Sequence, residues 1–316
     1  MHELDLTRRN PLIDPSLQIW GWETSVYLFL GGIVAGMMII SGYFLFRGRY
    51  RETESTSTIL PFLSLVLLST GMLALFLDLE YKVHVWRMYA TFQVTSPMSW
   101  GSWILILVYP ALFLNMLVRQ PHWIETRIPL FERWSALLHR HPVGMKTVGI
   151  VNMLLGGMLG IYTGVLLSAF GARPLWNSPV LGFLFLVSGL SSAAAFVHLF
   201  ARNRWERELL AKSDNAFLTI ELFVLALFVI GLITSTRAHQ DAALLLLSGV
   251  YAPVFWVFVI GVGILVPLFL QTLAVTHRIA HSAIPPVLVI VGGLILRFVI
   301  VAAGQVSHWT RVAGLP

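Results

Sequence analysis

Four side chains that can carry or donate a proton stand at the ends of apolar segments in this sequence. Glu23 directly precedes one such segment, Asp78 ends the next and is followed by His84, and Tyr162 lies near the end of a later one. Carboxyl, imidazole and phenol groups that lie together can transfer protons during a reaction. An ionisable group at the edge of a membrane is costly unless it is paired or reaches water. We therefore take these four residues as candidates for a proton-handling site.

Aromatic residues accompany these four positions. A quinone ring stacks on flat or apolar side chains and its two oxygens need hydrogen-bond partners, so its pocket should combine apolar walls with a few polar groups. The residue types are therefore those expected of a quinone pocket. The further residues predicted to line this pocket are Trp20, Trp22, Glu80, Trp100, Arg173 and Trp176.

The segment TSPMSWGSW, residues 95–103, allows two interpretations. Ser96 before Pro97 is a usual N-cap and N1 pair at the start of a helix, and tryptophans are common at membrane interfaces. Trp100 and Trp103 are also candidates for a wall beside the quinone ring or for an interface with a partner. The segment therefore predicts the start of a helix, and the second interpretation also places it at the edge of the pocket.

The composition fixes the class of protein that must position these residues. The sequence is 57% hydrophobic and only 11% charged, whereas soluble domains contain roughly 25% charged residues. Long apolar runs without alternation indicate helices of about 20 residues that cross a bilayer. We predict an all-α integral membrane protein, a single transmembrane domain over residues 1–316, with Pro253 breaking or kinking an over-long seventh segment. The eight predicted spans lie near 24–46, 59–77, 98–118, 144–169, 179–201, 216–236, 244–271 and 285–304.

The distribution of basic residues predicts the orientation in the membrane. Thirteen Lys and Arg residues fall on one side of the eight spans and seven on the other. Because basic loops stay in the cytoplasm, we expect both termini and the quinone site on the outer, periplasmic side of a bacterial or archaeal cytoplasmic membrane. The net charge of +6 then lies mostly beside anionic lipid and does not indicate nucleic acid binding.

Several cofactor classes have no ligands in this sequence. It contains no cysteine, so the chain can hold neither a thiolate-ligated iron–sulfur cluster nor a disulfide. Of its ten histidines only His198 lies clearly within a predicted span, whereas a membrane haem usually needs two, and no zinc-ligand spacing is present. A redox role would therefore require a diffusible quinone and a partner that carries the metal centres.

Polar residues also occur inside the predicted spans, above all Glu221 and Arg297. An arginine and an acid within a membrane can form a structural pair, or they can belong to a proton path, and the sequence leaves both interpretations open. The candidates for such a path are Asn152, Ser188, Ser191, Ser192, His198, Glu221 and Arg297.

The order of several separated motifs resembles the polysulfide-reductase membrane-anchor family, also called the NrfD family. The likeness spans nearly the whole chain, and the combined order and spacing make it specific. The matching stretches are Gly31-Gly32 to Gly36, Asp78-Leu79, Ser96 to Trp103, Tyr162-Thr163-Gly164, Pro174-Leu175-Trp176-Asn177, Ser188 to Ser192, Leu296-Arg297 and Gly304-Gln305.

The resemblance implies an electron-transfer role in a respiratory chain. Members are eight-helix subunits, not catalytic alone, that pass electrons between the quinone pool, menaquinone or ubiquinone, and a docked ferredoxin-like subunit with several iron–sulfur clusters. That partner serves a molybdopterin, hydrogenase or multihaem catalytic subunit. Tyr162 matches a position near the quinone in relatives, and Asp78 matches the family's helix 2 acid. Where some relatives offer Asn or His at the start of helix 1, this sequence has Trp20, Trp22 and Glu23.

Two other functions remain open at the level of the sequence. One is an ion- or proton-translocating membrane subunit that has no quinone site of its own and uses Glu221 and Arg297. The other is a purely structural anchor, in which neither Asp78 nor Tyr162 affects turnover.

Overall fold

Helices form almost all of the protein that the structure, a computed structural model, describes. Within the described ranges there is no β-strand, and eight helices are long and apolar enough to cross a membrane. The prediction of an all-α protein with eight transmembrane helices is confirmed. The described ranges are 20–53, 55–79, 81–118, 129–140, 142–201, 203–276 and 282–307. The spanning helices are α1 Trp22–Phe46, α2 Leu60–Asp78, α3 Pro97–Val118, α4 Pro142–Ser168, α5 Val180–Phe200, α6 Arg204–Ile233, α7 Val254–Val275 and α8 Ile284–Val306.

Two spans begin ten residues or more from the predicted start, while the other six begin within two residues of it. Helix α6 starts at Arg204, about three turns before the predicted position near 216, because its polar first turns are also helical. Helix α7 starts at Val254 directly after Pro253, and the residues before it form a separate amphipathic helix, Arg237–Leu247. The structure therefore breaks the seventh apolar segment at Pro253.

Two segments have π-helical hydrogen bonding, and each ends two residues before a proline. Ser55–Ile59 leads to Pro61 in α2, and Val254–Leu265 leads to Pro267 in α7. A proline ring displaces the carbonyl four residues earlier and provides no N–H for the helix ladder. We attribute the widened turns at both places to this displacement.

Helix α1 lies at the centre of the bundle and packs against α2, α4 and α5. Glycines make the close contacts possible: a Cβ atom on Gly42 would lie 2.6 Å from the Gly149 carbonyl oxygen, and one on Gly36 would lie 2.6 Å from the Gly189 carbonyl oxygen. Small residues at such positions let helix backbones approach within a membrane.

The start of α1 and the end of α8 meet at the same end of the bundle, which we call the terminal end. The Trp20 N–H donates to Gln305 Oε1 at 3.0 Å, and Gln305 Nε2 donates back to the Trp20 carbonyl at 2.9 Å. This reciprocal pair fixes the entry of α1. The connector between α2 and α3, described at residues 79 and 81–96, lies at this end and contains a short helix, Trp86–Ala90.

Candidate functional site

The terminal end contains a cavity of about 570 Å³ between α1, α2, α3, α4 and the connector. Apolar side chains form most of its walls, among them Met72, Phe76, Met88 and Met98. Its volume lies within the roughly 300–1,000 Å³ of pockets that bind small organic molecules.

A small set of polar groups faces this cavity. Asp78 ends α2 and accepts a hydrogen bond from the Thr24 hydroxyl at 3.3 Å. The phenols of Tyr27 and Tyr162 belong to the walls, and their residues are only 2% and 7% exposed. Neither phenol forms a hydrogen bond with another described residue. The cavity therefore offers two buried O–H donors beside a carboxyl group.

Helical periodicity explains which residues of α1 reach the cavity. Thr24 and Tyr27, three residues apart in α1, both line it, as residues on one helix face do, and Trp20 lines it from just before the helix. Glu23 and Trp22 lie on other faces of α1 and outside the walls, and Trp22 is 56% exposed. Of the residues predicted at the start of α1, only Trp20 lines the cavity.

Gly101 is the residue of the segment 95–103 that shapes the site most directly. A Cβ atom at this position would overlap the phenol ring and hydroxyl of Tyr162, so the glycine makes room for that side chain. Met98 and Ser102 also line the cavity. This segment therefore contributes the face of α3 on which Tyr162 rests.

The two tryptophans of this segment lie outside the cavity walls. The Trp100 indole donates to the Val94 carbonyl at 2.7 Å, and its residue is 42% exposed. Trp103 is also exposed and contacts Phe92 edge to face, with ring centroids 5.6 Å apart. They hold the connector against the start of α3.

Trp176 and Arg173 support the cavity from behind Trp20. The Trp176 ring is fully buried and stacks on Trp20 at a centroid distance of 5.1 Å, and its Nε1–H donates to the Ile300 carbonyl at 2.8 Å. Arg173 donates to the Ser307 carbonyl at 3.2 Å. Both side chains therefore attach this wall to the end of α8 without reaching the cavity.

His84, like Glu23, lies away from the cavity, and Glu80 falls in a gap between the described ranges. His84 belongs to the exposed turn Lys82–His84 and is not part of the walls. Glu23 is half-buried, also outside the walls. Glu80 lies outside the described residues. From the predicted site the structure brings together Trp20, Asp78 and Tyr162.

The connector contributes residues that the sequence analysis did not select. Tyr89, in the helix Trp86–Ala90, lines the cavity and is half-buried. Partial burial, with a smaller contribution from the Tyr109 phenol, raises the pKa of Tyr89 above its ordinary value of 10.0. Tyr89 therefore keeps its proton at neutral pH and remains a donor.

A second cavity, of about 380 Å³, adjoins the first on the side of the connector. The two share Met88, Met98 and Ser102, and the second also has Arg87 and Gln93 in its walls. The more polar walls make it a suitable aqueous approach to the first cavity.

A separate polar network lies deeper in the bundle, around Arg297. This arginine is fully buried, and its guanidinium donates to the Ser188 hydroxyl, to the Gly293 carbonyl at 3.1 Å and to the Phe185 carbonyl at 3.0 Å. Ser188 also hydrogen-bonds Glu221, whose charge interacts with that of Arg297. The predicted pair of Glu221 and Arg297 is therefore linked through a serine.

The remaining candidates for a proton path divide between separate regions. Ser191 donates to Asp214 at 2.8 Å, an acid that the sequence analysis did not select. Asn152 belongs to another cluster, in which Asn115 donates to Ser41 at 2.8 Å. These residues do not form one continuous line. The last two candidates are Ser192, beside Gly293, and His198, at a small cavity with Arg207.

Comparisons with known proteins agree with this architecture. The family described as "Polysulphide reductase, NrfD" matches residues 11–308. The chain is similar to "Protein NrfD" of Escherichia coli (30% identical, covering 92% of this chain and 96% of that protein). It is also similar to one of the chains of the polysulfide reductase of Wolinella succinogenes (28% identical, 91% and 94%) and to a selenate reductase subunit of Mesobacillus selenatarsenatis (23% identical, 92% and 75%).

Proposed function

Because this chain belongs to the polysulphide reductase NrfD family, we propose that it is the quinone-reactive membrane subunit of a multi-subunit oxidoreductase. In this proposal the chain passes electrons between membrane quinone, menaquinone or ubiquinone, and a partner subunit. The observation that carries it is the pair of buried phenols of Tyr27 and Tyr162, which have no hydrogen-bond partner among the described residues and line the same apolar cavity as Asp78.

The walls fit a quinone ring in both shape and chemistry. Met72, Phe76 and Met98 supply apolar surface on which a flat ring can rest, and thioethers adapt well to such contacts. The phenol O–H groups of Tyr27 and Tyr162 would donate to the ring oxygens. A buried donor that lacks a partner favours a ligand that accepts from it.

A bound quinone would supply two-electron, two-proton redox chemistry at this position. Asp78 would hold or release a proton beside it, and the Thr24 hydroxyl keeps one oxygen of that carboxyl oriented. Protons would exchange with water through the adjoining cavity lined by Arg87 and Gln93. The apolar walls would limit the access of bulk water to a bound ring.

We propose that the partner is a ferredoxin-like subunit with several iron–sulfur clusters, docked at the terminal end of the chain. The chain has no cysteine for a cluster, and two relatives are named as components of polysulfide and selenate reductases. The connector presents exposed Val83, Trp86 and Phe92 at this end. The partner would serve a molybdopterin, hydrogenase or multihaem catalytic subunit, and the terminal end would face the periplasm.

A second candidate function is ion or proton translocation, with or without a quinone site. The buried network of Arg297, Ser188 and Glu221 favours this candidate, because charges inside a membrane are costly and usually functional. A purely structural anchor, the third possibility, requires neither the cavity nor its free phenols.

Binding of a fluorescent quinol-analogue inhibitor to membranes with the assembled complex tests the quinone site. We expect Tyr162→Phe to weaken binding about 5- to 10-fold, since one hydrogen bond contributes about 1 kcal/mol, and Asp78→Asn to slow quinone-linked turnover. Tyr81→Phe is the matched control, because Tyr81 is 72% exposed at the same end and outside the cavity. Absence of saturable binding in the native complex would overturn the proposal.

A further inference from the structure

Asp214 is a fully buried carboxyl that belongs neither to the cavity nor to the predicted proton path. The Ser191 hydroxyl donates to its Oδ1 at 2.8 Å, and the Gln271 amide donates to its Oδ2 at 2.7 Å. Both donors are neutral, and no described cationic side chain forms an ion pair with this acid. A charged carboxylate in such surroundings is costly within a membrane. The surroundings therefore favour the protonated, neutral form of Asp214.

Gln271 supplies a second observation at the same place. It is 1% exposed, and while its Nε2 donates to Asp214, its Oε1 has no hydrogen-bond partner among the described residues. A buried amide oxygen of this kind needs a donor. A water molecule or hydronium ion, placed beside the carboxyl, has the required chemistry.

Three acids lie along one face of α6, and Asp214 is the middle one. Glu206 precedes it by eight residues and Glu221 follows it by seven, about two helical turns in each direction, and all three are buried. Glu206 accepts hydrogen bonds from the N–H of Thr56 at 2.8 Å and from its hydroxyl at 2.5 Å. Roughly 10–12 Å therefore separates each acid from the next along the axis.

The charged groups around Asp214 explain why it can gain or lose a proton independently of its neighbours. Glu221, on its own helix, is the acid whose charge acts on it, while α5 and α7 face it with neutral Ser191 and Gln271. On α8, Arg297 is linked to Glu221 through Ser188. The positive charge of Arg297 therefore balances Glu221 and leaves Asp214 to be neutralised by a proton.

We propose that Asp214, with Gln271 and Ser191, forms an intramembrane proton-binding site that exchanges protons with Glu221 and with the Glu206 end of α6. In one step the O–H bond at Asp214 breaks, its proton passes through water to the Glu221 carboxylate, and a proton from the Glu206 side restores Asp214. No electron is transferred. The inference rests on the proposed function in one respect, since quinone turnover would drive this proton transfer.

The test uses the assembled complex in sealed liposomes, with Asp214→Asn as the variant. A pH-sensitive dye measures protons moved per electron, and turnover is measured separately with an uncoupler. We expect the variant to keep inhibitor binding and uncoupled turnover within about 2-fold of native, and to lose the protons moved beyond those of quinone chemistry. Glu208→Gln is the matched control, because Glu208 lies on the same helix at the surface and pairs with Lys212 at 2.7 Å. Full proton movement in Asp214→Asn, or no extra protons in the native complex, would overturn the inference.

Infrared spectroscopy of the purified complex gives a readout that does not depend on turnover or on a quinone. The native protein should show the carbonyl band of a buried protonated carboxylic acid that shifts in D2O. Asp214→Asn should lack this band, and Asp214→Glu, which keeps the carboxyl, should show it displaced. If the native spectrum has no such band, the inference fails even where inhibitor binding supports the quinone site. If inhibitor binding fails and the band is present, only the proposed function is lost.

Discussion

The cavity between α1 and α4 and the polar network between α5 and α8 differ in which of their polar groups are hydrogen-bonded. In the cavity, the hydroxyls of Tyr27 and Tyr162 have no hydrogen-bond partner among the described residues and face open space. In the network, the guanidinium of Arg297 has three acceptors and Asp214 has two donors. The cavity therefore leaves phenol donors for a ligand, whereas the network engages its charged groups internally and leaves three atoms, Gln271 Oε1, Ser192 Oγ and Arg297 Nε, without a partner among the described residues. Substitutions should consequently affect ligand binding in the cavity and stability in the network.

The largest expected effect is on stability, from Arg297→Met. This change leaves Glu221 buried without its cation, and breaking a buried pair typically destabilises by about 3–5 kcal/mol. Thermal unfolding of the purified complex should show a clear loss of stability, while the double variant Arg297→Met/Glu221→Gln should recover most of it. An unchanged melting temperature in Arg297→Met would show that the polar network does not stabilise the protein.

Gly101→Val should have the largest effect on the cavity. The new Cβ atom would overlap the phenol of Tyr162 and displace it, so we expect quinol-analogue binding to weaken about 100-fold, equivalent to about 2.7 kcal/mol. The control is Gly157→Val, since a Cβ atom at Gly157 meets no atom within 4 Å. Equal binding of the quinol analogue by both variants would show that Tyr162 does not contact the ligand.

Trp176→Phe should have a smaller, indirect effect. It removes the hydrogen bond to the Ile300 carbonyl and part of the stack on Trp20, so the wall loses support but keeps its polar groups. Inhibitor binding should weaken about 3- to 5-fold, consistent with roughly 1 kcal/mol for a single hydrogen bond. Trp103→Phe, at an exposed ring outside the cavity, should bind as the native protein does.

Thr24→Val should have the smallest effect of the four. It removes the hydroxyl that donates to Asp78 and keeps the shape of the side chain. Turnover should fall about 2- to 3-fold, with inhibitor binding unchanged, because the loss concerns the orientation of a proton-handling group rather than contact with the ring. A matching loss of binding would instead make Thr24 part of the ligand contact.

The sequence predicted the eight spans because apolar composition alone determines whether a helix can cross a membrane. It selected Trp20, Asp78 and Tyr162 because their residue types are uncommon at such positions. It did not select Thr24 or Tyr27, although their spacing of three residues places both on one face of α1. Gly101 could not be found in this way, since its role depends on Tyr162 in another helix.

An error in one boundary explains why Asp214 was overlooked. The sixth span was predicted to start near 216, because hydropathy rises only after the charged residues that begin α6. That start left Asp214 outside the membrane, where a carboxyl needs no explanation. Glu23 illustrates the opposite error: the correct helix was predicted, but the rotation about its axis, which depends on neighbouring helices, turns this side chain away from the cavity.

The link between Trp20 and Gln305 has a consequence for biogenesis. Residues that line the cavity lie between positions 20 and 166 of the chain, but Trp20 is held by Trp176 and by a residue at the end of α8. Because membrane helices are synthesised and inserted from the N-terminus, the ribosome has produced nearly the whole protein before this wall can be fixed. A nascent chain that stalls or is truncated before α8 therefore lacks a finished site, so only fully translated chains are ready to receive a ligand.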